Sequence, residues 1–408
     1  MKNKYIHRTL EPVIKRAVRE FPAAVLTGPR QAGKTTLLKT IFSDKFEYVS
    51  MEPPDIRASA TADPRGFLEM HPPPVIFDEV QHAANLLPYI KEEIDKNRDR
   101  HGQFILTGSQ NLLLAERVTE SLAGRAAMLR LMPLSNREMS GLPMKPLPWE
   151  GKTKHADTPG KISSKELWSS FIRGGYPELA ANPSRDYYLW HASYVQTYLE
   201  RDLRSLRQVG DLGQFQIFLR VLASRSGQLL NMSGIARDLG ITVNTVKEWL
   251  SILEATFQII ILRPYFANVG KRLVKMPKIY FTDVGTLCWL AGLKDPEHAA
   301  MGPMGGAIFE TAVLSEIFKT LVGRGENPNL YFWRTSTGME IDIIVDTGQT
   351  LIPVEVTINS TPNPARAKSI KVFQNDIGDR ARRGYVIHPG DVRLPLGSGV
   401  TALPFSEV

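Results

Sequence analysis

The stretch AAVLTGPRQAGKTTLLKTIF, residues 23–42, decides the fold of the first part of the chain. An apolar run is followed by a turn with two glycines and then by a helix-forming segment. The turn from Gly28 to Thr35 matches the pattern G-x-x-x-x-G-K-[ST] between a predicted strand and a predicted helix. Its glycines let the backbone curl until successive N–H groups point inward, and the helix N-terminus adds positive potential. The stretch therefore predicts a P-loop that binds phosphates.

The residue types in this loop predict the cofactors ATP and Mg²⁺. We expect Lys34 to reach the β- and γ-phosphates and to act in catalysis, and the Thr35 hydroxyl to ligate Mg²⁺. The predicted nucleotide-binding residues are Gly28, Pro29, Arg30, Gln31, Ala32, Gly33, Lys34, Thr35 and Thr36.

A second motif, VIFDE at residues 75–79, is an apolar strand that ends in two carboxylates. Such a pair also occurs as ordinary helix-capping groups. Beside a P-loop it predicts that Asp78 holds the hydration shell of Mg²⁺ and that Glu79 orients or deprotonates the attacking water.

Two further segments offer catalytic candidates. In FILTGSQ, residues 104–110, a strand ends in small polar residues, of which Ser109 is our first choice for contacting the γ-phosphate or the water and Thr107 the second. The alternative is a turn that only ends the strand. Arg125 precedes the fifth predicted strand, where it would stabilise transition-state charge in its own or a neighbouring subunit, or form a structural ion pair.

Short apolar strands alternate with helical segments through the first 140 residues, which predicts an α/β domain with a parallel sheet. The predicted strands are Ala23–Thr27, Tyr48–Met51, Val75–Phe77, Phe104–Thr107 and Ala127–Met132. Residues 141–166 are rich in Pro, Gly and Lys and predict a linker or a mobile excursion. A helical region follows over residues 167–302, and residues 303–408 return to mixed helix and strand.

The bulk composition limits the classes of protein. Of the 408 residues, 43% are hydrophobic and 23% charged, as in an ordinary globular chain of more than one domain. A charged N-terminal segment and the lack of a long apolar run predict a cytoplasmic protein without a membrane partner. Cys288 is the single cysteine, so no internal disulfide is expected. A net charge of +8 mildly favours a polyanionic partner such as DNA.

The middle of the chain contains a helix-turn-helix pattern. A short helix, Gly240 and a second helix beginning near Thr242 have the expected spacing, and we place a winged-helix module at about residues 214–280. The candidate DNA-binding residues are Thr242, Asn244, Thr245, Lys247, Lys271 and Arg272. Winged helices also serve as protein-binding modules, and Glu248 and Glu254 would repel phosphate, so both interpretations stay open.

The C-terminal segment has the order of a PD-(D/E)XK nuclease core. Glu310, Asp342 and Glu355 fall on a predicted helix and two strands, but Thr357 stands where the core's lysine is expected. Threonine cannot supply the cation, although Lys368 or Lys371 could do so from the next helix. We therefore expect a degenerate nuclease-like domain used for binding or assembly, and leave cleavage open.

Together these motifs resemble a known family, the AAA+-type ATPases of bacteria and archaea that join an AAA_14 domain to a DUF4143 domain. The matching stretches are GPRQAGKTTLL (28–38), VIFDEVQ (75–81), LTGSQNLLL (106–114), LAGRAAMLRLMPLSNRE (122–138), GGYPE (174–178), YLERDL (198–203) and KIYFTDVG (278–285). The resemblance implies a five-stranded parallel P-loop core with Glu79 as the catalytic carboxylate. It also implies a homo-oligomer, with a ring as one arrangement.

The function predicted from these patterns is Mg²⁺-dependent ATP hydrolysis coupled to binding or remodelling of DNA. One alternative is an ATP-dependent switch that acts on protein partners. Another is a metal-dependent nuclease gated by ATP, which the departure at Thr357 counts against.

Overall fold

The computed structural model describes residues 5–108, 121–151, 162–199, 212–265, 276–335, 337–381, 383–397 and 399–408. Within these residues the strands form a five-stranded sheet of order β2-β3-β4-β1-β5 and an eight-stranded sheet of order β12-β13-β11-β10-β9-β8-β6-β7. The first sheet is parallel throughout, as the sequence predicts.

Helices cover both faces of the first sheet. Its strands are β1 (Ala23–Thr27), β2 (Glu47–Ser50), β3 (Val75–Asp78), β4 (Phe104–Gly108) and β5 (Ala126–Arg130). The helices are α1 (Glu11–Glu20), α2 (Lys34–Phe42), α3 (Pro54–Ala62), α4 (Pro64–Met70) and α5 (Leu87–Lys96), with a 3₁₀ segment at Val80–Leu86. One face packs on α1 and α2 and the other on α3 to α5, which explains why β1, β3 and β4 are buried along their whole length.

The middle of the chain is helical before it turns to strands. The helices are α6 (Asn136–Met139), α7 (Ser164–Arg173), α8 (Pro177–Ala181), α9 (Tyr187–Tyr194), α10 (Leu212–Ser224), α11 (Met232–Leu239) and α12 (Val243–Ala255). They are followed by β6 (Ile259–Pro264), β7 (Lys278–Phe281), α13 (Val284–Leu290) and α14 (Pro296–Met301). β6 and β7 are antiparallel, and Leu229 forms an isolated bridge with Lys278.

The C-terminal part has the order helix, three strands, helix and strand. Its elements are α15 (Gly305–Gly323), β8 (Leu330–Arg334), β9 (Glu340–Asp346), β10 (Leu351–Val356), α16 (Ala367–Ile377), β11 (Gly384–His388), β12 (Leu394–Pro395) and β13 (Val400–Pro404). β8, β9 and β10 pair antiparallel, whereas β10, β11 and β13 run parallel. β6 pairs with β8, so the sheet continues across the boundary predicted at residue 302.

Of the segment predicted as a linker or a mobile excursion, residues 152–161 lie outside the described residues, and the described part is packed. α7 already begins at Ser164, where Ser163 and Glu166 form a capping box. Leu147 is fully buried, and Lys145 Nζ donates to the carbonyl oxygen of Ser406 at 3.0 Å. Apolar and charged anchors therefore hold residues 141–151 against the C-terminal part, which the Pro and Lys content alone could not indicate.

Candidate nucleotide-binding site

The P-loop joins β1 to α2 with the backbone that the motif requires. Gly28 has φ +149°, and a Cβ there would lie 2.1 Å from the carbonyl oxygen of Leu131, so only glycine fits. Gly33 has φ +91° and precedes the first residue of α2. Lys34 is buried, and its Nζ donates to the carbonyl oxygens of Gly28 and Pro29 at 3.0 Å each. The ammonium is thus held at the loop itself, beside a helix N-terminus that favours anions.

Asp78, which is 4% exposed, accepts hydrogen bonds from hydroxyl groups on several elements. Thr35 Oγ1, at the start of α2, donates to Oδ2 at 2.8 Å. Tyr48 of β2 donates to the same oxygen, and Thr107 of β4 donates to Oδ1. These elements meet here because β2 and β4 flank β3 in the sheet and their carboxyl ends share one edge. The structure therefore brings the predicted metal residues Thr35 and Asp78 together.

Glu79 adopts a backbone conformation that is unusual for its type. Its φ is +57°, in the left-handed region, which costs a residue with a Cβ about 1 kcal/mol. Its main-chain N–H donates to Thr107 Oγ1 at 3.1 Å, and its carboxylate accepts from the amide of Gln81. The turn aims the Glu79 side chain into the cleft beside the P-loop. Strain of this kind concentrates at functional sites.

The cleft in front of the loop has a volume of about 790 Å³, within the range of small-molecule sites. Of the predicted nucleotide residues, Arg30, Gln31, Gly33, Lys34, Thr35 and Thr36 line it. Further lining residues come from the N-terminal segment and from α8. They are Tyr5, Ile6, Arg8, Pro177, Glu178 and Ala181. The site is thus built jointly by the first sheet and the helical region.

Arg8 supports the loop by binding one of its carbonyl oxygens, a role that the sequence analysis missed. Its guanidinium donates to the carbonyl oxygens of Ala32 at 2.9 Å and Met132 at 2.6 Å, and its Nε lies 3.3 Å from Glu138 Oε2. Both charged side chains are buried. No local signal in the sequence indicated this role, since Arg8 lies before α1, which begins at Glu11.

Arg125 does not reach this site within its own chain. It precedes β5, and its carbonyl oxygen accepts from the N–H of Ala23 at the start of β1. The loop leaves the other end of β1, roughly 13 Å away at 3.3 Å per residue. The guanidinium instead forms a bidentate pair with Asp95 at 2.7 and 3.0 Å. This corrects the own-subunit role; a role in a neighbouring subunit stays a prediction.

Ser109, our first choice for contacting the γ-phosphate, lies outside the described residues. Thr107, the second choice, contacts Asp78 and Glu79 as described above. The missed residues Tyr48 and Gln81 contact the same two carboxylates. Tyr48 reaches Asp78 because β2 pairs with β3, a neighbour relation that the structure shows.

The helix-turn-helix candidates lie at the start of α12. Thr242 caps this helix, since its side chain accepts from the N–H of Thr245 at 3.0 Å, and the two hydroxyls lie 2.8 Å apart. Asn244 and Lys247 are exposed, whereas Lys271 and Arg272 lie outside the described residues. Within the described part of this segment, the structure thus presents Thr242, Asn244 and Lys247 to solvent.

Two of the acidic candidates of the C-terminal part, Glu310 and Asp342, lie near Lys278, a buried lysine of β7. Lys278 Nζ lies 3.1 Å from Glu310 Oε1 and 3.9 Å from Asp342 Oδ1, and it also pairs with Glu340. Its side chain is only 5% exposed, so Lys278 is not available to DNA. Lys371 instead approaches Gly397, and Ser369 of α16 donates to Glu355.

Burial is the main cause of raised pKa values in this cluster. It raises the pKa of Asp342 to about 8 and that of Glu310 to about 7, and repulsion between the two carboxylates adds to it for Glu310. Burial likewise raises the pKa of Glu355 to about 7, against the hydrogen bond from Ser369. In the described parts of the chain, no three His, Cys, Asp or Glu side chains are placed to hold a metal ion. The cluster holds the ammonium of Lys278 among its carboxylates.

No helix of the described residues is long and apolar enough to cross a bilayer. The predicted cytoplasmic location stays a prediction.

Comparisons with known proteins bear on the chain as a whole. Residues 20–140 match an AAA domain, residues 164–297 match a domain of unknown function (DUF8612), and residues 305–408 match another (DUF4143). The uncharacterized proteins Rv2008c of Mycobacterium tuberculosis and Mb2031c of Mycobacterium bovis are each 30% identical over 97% of this chain and 82% of their own length.

Among solved structures, the Walker-type ATPase paby2304 of Pyrococcus abyssi is similar, with 14% identity, a TM-score of 0.46, and coverage of 71% of this chain and 97% of that one. The likeness is too low to carry an argument. The family matches and the curated relatives, in contrast, extend over most of the sequence. The chain belongs to the family of AAA-type ATPases that join an AAA domain to a DUF4143 domain.

Proposed function

We propose that this chain hydrolyses ATP with Mg²⁺ and couples the reaction to binding or remodelling of DNA. The observation that carries the first half is the hydrogen bond of 2.8 Å from Thr35 to Asp78, at a cleft that Lys34 and Glu79 also line. A hydroxyl and a carboxylate are hard oxygen donors of the kind that Mg²⁺ takes. The residues therefore fit the ion that the family implies.

Each residue has a defined task in this proposal. Lys34 and the loop N–H groups bind the phosphates, and Thr35 and Asp78 hold Mg²⁺ directly or through its waters. Mg²⁺ supplies charge neutralisation at the β- and γ-phosphates. Glu79 orients the attacking water and accepts its proton. Thr107 fixes Asp78 and Glu79 relative to each other, while Ser109 is proposed to contact the γ-phosphate.

The DNA half of the proposal is supported by the order of elements after α9. Three helices, α10 to α12, lead into the antiparallel pair β6 and β7, the order of a winged helix. Asn244 and Lys247 are exposed at the start of the second helix of the helix-turn-helix pattern, where a recognition helix meets base edges. The net charge of +8 favours the same class of partner.

ATP turnover measured with and without duplex, branched and single-stranded DNA tests the coupling. We expect DNA to stimulate turnover and the stimulation to weaken with salt. The double variant Asn244→Ala, Lys247→Ala should lose stimulation but keep basal turnover. Lys368→Ala, which removes an exposed lysine of α16, serves as the control. Absence of both stimulation and salt-sensitive binding would remove the DNA half.

A nucleotide-dependent switch on a protein partner is the second candidate. Glu248 and Glu254 favour it, because they are exposed on the same helix and repel a phosphate backbone. A partner that co-purifies with the Glu79→Gln variant in ATP and dissociates in ADP would support this function. DNA-independent turnover combined with such a partner would replace the first candidate.

For the C-terminal part we propose binding or assembly and no cleavage. The support is Lys278, which stands among Glu310, Asp342 and Glu340 and pairs with their charges. Plasmid and single-strand cleavage in Mg²⁺ or Mn²⁺ should be absent. Cleavage that survives Glu79→Gln but is lost in Asp342→Ala would contradict this proposal.

A further inference from the structure

We infer that Tyr48 is a positioning residue for the magnesium site, holding Asp78 in the orientation that the ion requires. The inference rests on the proposed function and deepens it. Tyr48 donates its hydroxyl to Asp78 Oδ2, the oxygen that also accepts from Thr35. Its partner oxygen is therefore the one that faces the P-loop threonine.

The ring of Tyr48 is fixed independently of its hydroxyl. Tyr48 lies on the α2 face of β2, where it packs with the apolar cluster between α2 and the sheet. Lys39 Nζ, one turn beyond Thr35 on α2, stands 3.9 Å from the centre of the ring. In the strand pairing Tyr48 is opposite Ile76, two residues before Asp78. The hydroxyl is thus aimed at Asp78 by packing on both sides.

The phenol is a neutral donor, and its O–H is directed at Asp78 Oδ2. A neutral donor orients a carboxylate without cancelling its charge. Tyr48 and Thr107 thus fix the plane of the Asp78 carboxylate from two neighbouring strands.

Tyr48 is compatible with a bound ion. When Thr35 ligates Mg²⁺ through an oxygen lone pair, its proton still points at Asp78, so the resting hydrogen bonds need not be broken. Partners of this outer-shell kind typically change metal affinity by about 10- to 100-fold when they are removed. Tyr48 should therefore contribute to the affinity for Mg²⁺ and leave the contacts to the phosphates alone.

The test uses Tyr48→Phe in the full chain, which keeps the ring, its packing and the contact with Lys39. Affinity for ADP is measured by calorimetry in saturating Mg²⁺ and again in EDTA. We expect the ratio of the two affinities to fall about tenfold, with the affinity in EDTA unchanged. Higher Mg²⁺ should restore ATP turnover in the variant. Tyr89→Phe, a half-buried tyrosine of α5 on the other face of the sheet, should leave both affinities unchanged.

The outcomes separate this inference from the proposed function. An unchanged or larger ratio in Tyr48→Phe would overturn the inference, and so would an equal loss in Mg²⁺ and EDTA, which marks a merely structural role. If the unaltered chain binds no ADP in either condition, the proposed function fails and the inference with it.

Discussion

Asp78 at the end of β3 and Asp342 near the start of β9 have opposite surroundings. Hydroxyl groups of Thr35, Tyr48 and Thr107 contact Asp78 beside an open cleft. Asp342 instead lies near the ammonium of Lys278 and another carboxylate, and burial raises its pKa to about 8. Neutral donors orient a carboxylate and preserve its charge for a cation, whereas a neighbouring ammonium or a shared proton neutralises it. The site of Asp78 therefore faces a cleft that a ligand can enter, whereas the charge of Asp342 is already balanced by its neighbours. We call them the open site and the satisfied cluster.

Removing the Lys34 ammonium from the nucleotide site should have the largest effect on ATP turnover. Lys34→Ala takes away the ammonium that the loop carbonyls of Gly28 and Pro29 hold at the phosphate position. We expect ATP turnover to fall by roughly 10²- to 10³-fold or more, because a preorganised charge at the transferring group is lost. Steady-state phosphate release measures it. Lys45→Ala, an exposed lysine just after α2, is the matched control and should behave like the unaltered chain.

Glu79→Gln should separate binding from chemistry. The carboxamide keeps the size of the side chain but cannot accept a proton from water, so we expect turnover to fall by about 10²-fold or more while ADP affinity is kept. Calorimetry and single-turnover hydrolysis give the two quantities. Normal hydrolysis by this variant would show that Glu79 is not the base and would leave the open site without an assigned proton acceptor.

The cluster of Glu310, Asp342 and Glu355 should make the free energy of unfolding depend on pH. In the folded protein the pKa values of these carboxyl groups are about 7 to 8. In the unfolded chain they are expected near the ordinary value of about 4. The folded state therefore holds more protons than the unfolded state between these limits, and the free energy of unfolding falls as pH rises through them. We expect each of the three groups to contribute a loss of about 1–2 kcal/mol between roughly pH 6 and pH 8.

Chemical denaturation at those two pH values measures the loss, and Asp342→Asn tests its origin. The amide cannot ionise, so the variant should lose less stability across the same interval than the unaltered chain. If the free energy of unfolding changed equally with pH in both proteins, Asp342 would be ionised throughout the interval. The contrast drawn between Asp78 and Asp342 would then be wrong.

The sequence predicted the nucleotide site better than its supporting contacts, for a physical reason. The predicted strand Ala23–Thr27 agrees with β1, and a helix follows the loop as predicted, because an apolar run, a glycine turn and a helix start are local signals. Tyr48 and Arg8 reach the site from other elements, and nothing within a few residues of either one indicates its partner. Local patterns specify elements, whereas side-chain partners depend on how the elements pack.

The same limit explains the C-terminal part. The return to mixed helix and strand over residues 303–408 was predicted, but the pairing of β6 with β8 was not. That pairing joins the helical region and the C-terminal part in one sheet. β7 is the last strand of this sheet, and its Lys278 reaches Glu310 and Asp342. A lysine more than thirty residues before Glu310 had no reason to be counted with it. The winged-helix and nuclease-like interpretations stay predictions.

Arg125→Ala should have the smallest effect and tests how far the open site extends. Arg125, like Lys278, carries a charge that already has a partner. Its guanidinium pairs with Asp95 in an exposed, bidentate contact. Exposed pairs of this kind contribute little. We therefore expect turnover in dilute protein to change by less than about twofold. Asp95→Ala, which removes the other half of the pair, should match it. A large loss in Arg125→Ala alone, increasing with protein concentration, would instead place this arginine in the site of a neighbouring subunit.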